Sequence, residues 1–139
     1  MSRIFATPVA PISWGELIDK ITILEIKQLK IKSATALGHI NKELDYLNRI
    51  IVNNLGVIEL IGSLKQELYS VNIKLWQVED DIRNKDFKQE FDLIFVELAQ
   101  SVYRLNDKRA KLKNLINQAL HSELVEEKSY KDFNGPIKD

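Results

Sequence analysis

The chain lacks cysteine, and between Ile12 and Gly135 it also lacks proline. Without cysteine it can form neither disulfide bonds nor thiolate metal sites, and it has no thiol nucleophile. Proline inside a helix removes a backbone hydrogen bond and clashes with the preceding turn, so a long proline-free stretch leaves room for long helices. These absences exclude a disulfide-rich fold and permit an all-helical one.

An excess of charge of one sign is also missing, since 20 basic residues balance 20 acidic residues. A surface that binds nucleic acid usually shows a surplus of Lys and Arg, so no nucleic-acid partner is expected. The longest apolar stretch, residues 55–64, carries Glu59 and is shorter than the ~20 residues that span a bilayer. The N-terminal segment has no continuous apolar signal region. The expectation is a cytoplasmic protein without a membrane span.

What the chain has is apolar residues at steps of three and four, and the clearest series is Ile61, Leu64, Leu68, Val71, Leu75, Val78 and Ile82. Such spacing is typical of amphipathic helices that pack like coiled coils. It predicts an all-α fold, an antiparallel bundle of three long helices with coiled-coil-like packing. The whole chain, residues 1–139, is interpreted as a single helical domain with an extended N-terminal segment, 1–12, and a C-terminal tail from about 122 to 139.

Local signals set the predicted helix boundaries. Ser13 followed by Glu16 matches a capping box, so the first helix should begin there. The apolar phase slips around residues 33–38, where this helix is predicted to bend or break. A helix over about 57–83 follows. Asn84-Lys85-Asp86 is then predicted to be a tight connection, with Asp86 as the cap of the last helix.

Several polar residues fall within the apolar faces of the predicted helices, where an unpaired charge is costly. At about 100° per residue, Glu25 lies within the apolar stripe of the first helix and Arg109 within that of the last. The candidate ligand-binding residues are these two and their polar and aromatic neighbours: Glu25, Asn72, Trp76, Glu79, Arg83, Asn106, Arg109 and Lys113. Catalytic residues stay unknown. Neither histidine follows a carboxylate by three residues, so no metal site is predicted, and no cofactor is expected.

Three interpretations of these residues are open. In the first, Glu25 and Arg109 form an interhelical ion pair that fixes the register of the bundle. In the second, Arg109, Arg83 and Lys113 bind an anionic ligand in a pocket, with Glu25 or Glu79 as proton partner. In the third, the face is half buried and the side chains reach water. The interpretations differ in whether the acidic and basic side chains close on each other or line a solvent-reachable cavity.

Long strings of the sequence match a known pattern, namely PISWGELIDKITILEIK at 11–27, VNIKLWQVEDDIR at 71–83, residues 91–117 and SELVEEKSY at 122–130. In these strings the chain resembles a bacterial domain-of-unknown-function family. The resemblance implies a small stand-alone protein, and similar domains attached to proteins of surface-polysaccharide or glycosyl-transfer context. It implies no catalytic residue. The matching motifs contain Trp14, Glu16, Asp19, Lys20, Glu25, Asn72, Trp76, Glu79, Asp80, Arg83, Glu97, Tyr103, Asn106, Asp107, Arg109 and Lys128.

A weaker similarity links Leu17-Ile18-Asp19-Lys20-Ile21 to the first helix of the all-helical chorismate mutases. Those enzymes stabilise a dicarboxylate with Arg and Lys from several helices and need no cofactor. The arginine expected near the start of that string is absent from this chain, where the region reads SWGELIDK.

Two functions are therefore expected. The first is a helical protein-interaction or scaffold module that forms a homo-oligomer or binds a protein partner, with a role accessory to surface-glycan biosynthesis. The alternative is a cofactor-independent helical enzyme, or a binder of a small anionic metabolite, that uses an Arg/Glu pocket.

Overall fold

The computed structural model of the chain describes residues 3–129, and within that range it contains four α-helices and no strand. The helices are α1 (Trp14–Lys30), α2 (Ala34–Val52), α3 (Val57–Phe87) and α4 (Leu93–Ala119). The predicted all-α class is confirmed. The predicted count of three helices is wrong, because α1 and α2 are fully separated. Residues 3–12 and 122–129 are non-helical, and the rest of the predicted tail, 130–139, lies outside the described residues.

The separation of α1 from α2 comes from a capping residue. Ile31 adopts extended backbone, with φ −89° and ψ 134°. Ser33 then caps α2, since its Oγ accepts a hydrogen bond from the Ala36 amide at 3.3 Å. The break therefore lies at 31–33, just before most of the predicted 33–38 stretch. Gly38 lies inside α2, where its surroundings are open.

The connection between α3 and α4 lies later than predicted. Asn84-Lys85-Asp86 is helical, α3 continues to Phe87, and the connection covers residues 88–92. Gln89 makes the turn with left-handed backbone, φ 56°. Asp92, and not Asp86, caps α4 by accepting a hydrogen bond from the Phe95 amide at 3.0 Å. Both aspartates precede apolar residues, so the local signal did not distinguish them.

The hydrophobic core lies at the open end of the α3–α4 hairpin, where α1 packs against the hairpin and α2 packs against α1. Its most deeply buried apolar side chains come from three helices: Ile18, Ile21, Ile61, Leu68 and Ile116. From Trp76 to Lys111, in contrast, no residue is buried. Residues 76–111 form the outer hairpin, which has α1 beside it at its base and consists of two helices without a third layer toward its tip. Within residues 3–129, no helix combines the length and apolar content needed to cross a bilayer.

Helix α1 crosses the hairpin from α4 to α3. In its first turn, the Gly15 amide donates a hydrogen bond to Asn117 Oδ1 of α4 at 2.6 Å. One turn later, Asp19 contacts side chains of both α3 and α4. Near its end, Glu25 forms an ion pair with Lys65 of α3 at 3.1 Å. The crossing therefore brings one aspartate of α1 between the two hairpin helices.

Candidate functional site

A buried polar network forms where α1 crosses the hairpin. Asp19 and Thr22, which are three residues apart on α1, are both fully buried, and Asn72 of α3 is 6% exposed. The Asn72 amide donates to Asp19 Oδ1 at 3.0 Å and to Thr22 Oγ1 at 2.9 Å. Thr22 Oγ1 in turn donates to the Asp19 carbonyl at 2.8 Å. Burial of polar groups is tolerated here because the three side chains satisfy one another.

Arg109 of α4 neutralises the buried carboxylate. Its Nε donates to Asp19 Oδ1 at 2.9 Å and its Nη2 to Asp19 Oδ2 at 2.5 Å, which is the two-pronged geometry that suits guanidinium and carboxylate. The hydrogen bond to Asp19 raises the pKa of Arg109, and partial burial opposes this effect. The Arg109 side chain is 29% exposed whereas that of Asp19 is 1% exposed. The guanidinium is therefore anchored from the inside and still reaches the surface.

The first interpretation, an ion pair between Glu25 and Arg109, is wrong. Glu25 binds Lys65 of α3, and the partner of Arg109 is Asp19. The large apolar residues of α1 face the core, and apolar periodicity identifies only that stripe. A second stripe faces α4 and α3, and it contains the residues that pair with the hairpin.

That second stripe carried a signal in the sequence. Its members, Gly15, Asp19, Thr22 and Ile26, follow one another at steps of four, three and four, and all are buried. This is helical spacing, but three of the four residues are small or polar, so an apolar count does not find it. Asp19 and Thr22 were therefore absent from the candidate residues, although Asp19 belongs to a matching family motif.

A cavity of about 350 Å³ opens beside Arg109, between α1, α3 and α4. Six of the eight candidate residues line it: Asn72, Trp76, Glu79, Arg83, Asn106 and Arg109. The remaining lining residues are Asp80, which sequence reasoning did not select, and Ile23, Ile26 and Leu75. The cavity thus has an apolar floor, one indole and charged groups of both signs.

The charges around the cavity are unequally satisfied. Glu79 and Arg83, one turn apart on α3, form an ion pair at 3.5 Å, in which the Arg83 side chain is mostly exposed and that of Glu79 is less than half exposed. Arg109 Nη1 makes a long hydrogen bond of 3.5 Å to Asn106 Oδ1. Asp80 forms no ion pair within residues 3–129. A guanidinium has five N–H donors, so Arg109 keeps donors for a bound group after binding Asp19.

Of the two remaining candidates, Glu25 pairs with Lys65, and Lys113 lies at the other end of α1, away from the cavity. The Lys113 ammonium is 2.8 Å from Glu16 and 2.7 Å from Glu126. Burial lowers the pKa of Lys113, but hydrogen bonds to the two carboxylates outweigh burial and raise it. The same contact with Lys113 lowers the pKa of Glu126. Lys113 therefore ties α4 to α1 and to the segment after α4.

No metal-binding group was found in the described part of the chain: within residues 3–129, no three His, Asp or Glu side chains come together as a cation would require.

The fold and the cavity define a small all-α protein in which charged residues of α3 and α4 line an opening beside α1. The chain belongs to a family of unknown function, DUF6165, whose sequence model matches residues 9–138. The resemblance to a domain-of-unknown-function family is thereby confirmed. None of the curated proteins and none of the solved structures compared with the chain matches it.

Proposed function

We propose that the cavity binds a small molecule that carries a carboxylate or a phosphate. The observation that carries this proposal is the position of Arg109, whose guanidinium is fixed by the fully buried Asp19 and reaches the cavity. A cation that is already oriented loses little freedom when an anion binds. The cavity volume of about 350 Å³ falls in the range of small-molecule sites.

The acidic residues narrow the class of ligand. Asp19 already neutralises Arg109, so Glu79 and Asp80 leave the surroundings of the cavity without a positive excess. A ligand must therefore offer hydrogen-bond donors to these carboxylates as well as an anionic group to the arginines. Acidic sugars and sugar phosphates have both, and a hydroxyl-bearing ring can also pack against Trp76. This ligand class agrees with the surface-glycan context that the family resemblance implies.

Trp76 provides the test. The chain has two tryptophans, and Trp14 lies at the start of α1, so Trp14→Phe leaves Trp76 as the single fluorescent reporter at the cavity. Titrations with glucuronate, glucose 1-phosphate and glucose separate the contribution of the anionic group to binding from that of the sugar ring. The two anionic probes should change the Trp76 emission saturably, and glucose should bind at least tenfold more weakly.

Two cavity variants test the assignment of residues. Arg83→Gln and Asn106→Ala should each weaken binding of the anionic probes several-fold and leave the melting temperature nearly unchanged, since the Arg83 side chain is 73% exposed and the Asn106 hydrogen bond to Arg109 is long, at 3.5 Å. Lys65→Gln removes a positive charge outside the cavity and serves as the control. If neither anionic probe binds saturably, as checked by calorimetry, the proposal is refuted.

A second function, a helical interaction module that self-associates in the cytoplasm, is also proposed. A different observation favours it: no residue from Trp76 to Lys111 is buried, although this part of the hairpin carries Phe87, Phe91, Leu93 and Ile94 at 56–89% exposure. Exposed apolar patches of this kind usually mark an interaction surface. Coiled-coil-like packing is proposed for the contact between copies.

A further inference from the structure

We infer that the outer hairpin packs face to face against the outer hairpin of a second copy, with the two tips pointing in opposite directions. This inference rests on the second proposed function, self-association, and identifies the surface and the arrangement. Two helices alone cannot enclose a core, and two such hairpins together form a four-helix bundle, in which apolar faces are buried between them.

The face in question is the one that carries α1 at the base of the hairpin. The cavity residues Arg109 and Asn106 of α4 lie on the side of the hairpin that faces α1. Residues seven apart lie on the same helix face, so the ridge of Arg109 continues toward the tip with Val102 and Phe95, and the ridge of Asn106 continues with Ala99. Between Leu93 and Asn106, this face of α4 is apolar or small.

On α3 the same face continues from Trp76 through Arg83 to Phe87, which is 89% exposed. The opposite face of the hairpin is different in character. A shallow depression there is lined by Asp81, Asn84, Lys85, Lys88, Glu90, Ile94 and Leu98, five of which are polar or charged. Ile94 and Leu98 lie on this face too, but polar and charged residues outnumber them, so it suits water. The α1-side face, where Phe87 is exposed, suits a partner.

The position of α1 decides the relative direction of the two copies. Because α1 covers this face at the base of the hairpin, two copies with their tips together would be held apart by two layers of α1. With tips opposed, each outer hairpin fits beside the other's α1. The overlap that is symmetric about Ala99 covers 93–105, about 20 Å at 1.5 Å per residue, and is about 20 Å wide for two helices, or roughly 400 Å² in flat projection. This is about half of the ~800 Å² that each partner gives to a standard interface.

The charged and small residues at the centre of this overlap are compatible with a two-fold axis between the copies. Asn72 and Arg109 both bond to Asp19, so they mark one level of the hairpin. A second level, about ten residues closer to the tip, passes between Asp80 and Arg83 on α3 and beside Ala99 on α4. A two-fold axis there places Asp80, which has no ion pair within residues 3–129, opposite Arg83 of the second copy. Ala99 allows the two α4 helices to approach closely.

The test begins with the mass of the protein in solution. Sedimentation equilibrium across micromolar concentrations should show the wild-type protein at twice its 16.1 kDa chain mass. Ala99→Glu should weaken association at least tenfold, because it puts a charge at the centre of the contact. The control is Arg104→Glu, an exposed charge reversal on the same helix about 140° away, which should leave association unchanged. Circular dichroism should show that both variants retain the helical fold.

A charge swap and a cross-link test the arrangement itself. Asp80→Arg and Arg83→Asp should each weaken association, and the double variant should restore it. The chain has no cysteine, so Ala99→Cys should form a disulfide between copies and Lys88→Cys, at the tip, should not. A monomer at tens of micromolar would overturn self-association together with this inference. A dimer that tolerates Ala99→Glu, or that cross-links through Lys88→Cys, would overturn only the arrangement.

Discussion

Asp19 and Arg109 contribute unequally to their pair, since the Asp19 side chain is 1% exposed and that of Arg109 is 29% exposed. Loss of the arginine leaves a carboxylate in the interior without a counter-ion, whereas loss of the aspartate leaves a guanidinium that can turn to water. The penalty for breaking such a pair comes mostly from the charge that stays buried.

Arg109→Ala should therefore lower the free energy of unfolding by about 3–5 kcal/mol at neutral pH. The double replacement Asp19→Leu with Arg109→Met should cost far less, because no buried charge remains. Urea denaturation measures both. As a comparison, Glu25→Ala should cost at most about 1 kcal/mol, since the Glu25 and Lys65 side chains are each about one-third exposed. A larger coupling of Arg109 to Glu25 than to Asp19 would contradict the observed pairing.

Gly15 has a packing role that its position in a helix conceals. A Cβ built at Gly15 would overlap the Lys113 carbonyl group of α4, a backbone atom that cannot move aside, while a Cβ at Gly62 would meet nothing within 4 Å. Gly15→Ala should destabilise the protein by about 1–3 kcal/mol through overpacking. Gly62→Ala should stabilise it by up to about 1 kcal/mol through helix propensity. In thermal denaturation, Gly15→Ala should lower the melting temperature and Gly62→Ala should raise it if α1 crosses α4 at Gly15.

At the level of helices, the sequence predicted those helix ends that are set by residues close together in the chain. Ser13 caps α1 as expected, with Oγ accepting a hydrogen bond from the Glu16 amide at 3.1 Å. The Glu16 carboxylate, however, binds Lys113 of α4. The α3–α4 connection was misplaced because Asp86 and Asp92 offer the same local signal. Lys85 resolves the choice by binding Glu90 and Asp92 from the last turn of α3.

The candidate site was predicted in part for a similar reason. Periodicity within one helix identified the residues of α3 and α4 that share a face, and six of the eight line one cavity. Which carboxylate pairs with Arg109 depends on how α1 crosses the hairpin, and periodicity within a helix does not contain that angle. Asp19 was missed for this reason, and Glu25 was chosen in its place.

The segment after α4 should detach from the helices in acid. Contact with Lys113 lowers the pKa of Glu126 from its usual 4.5, so its contribution is complete above pH 4.5 and is lost as the pH falls through the lower folded value. Lys113 has a raised pKa, so its contribution is complete below pH 10.5 and is lost as the pH rises through the higher folded value. The amide of Trp14, which donates to Ser122 Oγ at 3.2 Å, is a suitable NMR reporter. Glu126→Gln should abolish the acid transition; an unchanged transition would exclude this pair as its cause.

For the molecule as a whole, the uneven burial predicts uneven stability. Core positions cluster at the open end of the hairpin, as in Ile61, Leu68 and Ile116, and no residue of the outer hairpin is buried. Local opening costs least where few apolar contacts must be broken. Amides in residues 78–87 and 94–106 should exchange hydrogen faster than those in 61–72 and 112–117. Dilution of the protein should widen the difference if association protects the outer hairpin. Equal protection of both ends at the lowest concentration would contradict this expectation.

The way α1 begins also affects when the chain can fold during synthesis. The amides of Trp14 and Gly15 in the first turn of α1 bond to Ser122 and Asn117, which follow them by 108 and 102 residues. At the usual ribosomal rate of about 5–20 residues per second, roughly 5–20 s separate the donors from their acceptors. Until then, the stripe of α1 that meets α3 and α4 has no complete partner. Of the four helices, α1 is therefore the first to leave the ribosome and among the last to reach its final set of hydrogen bonds.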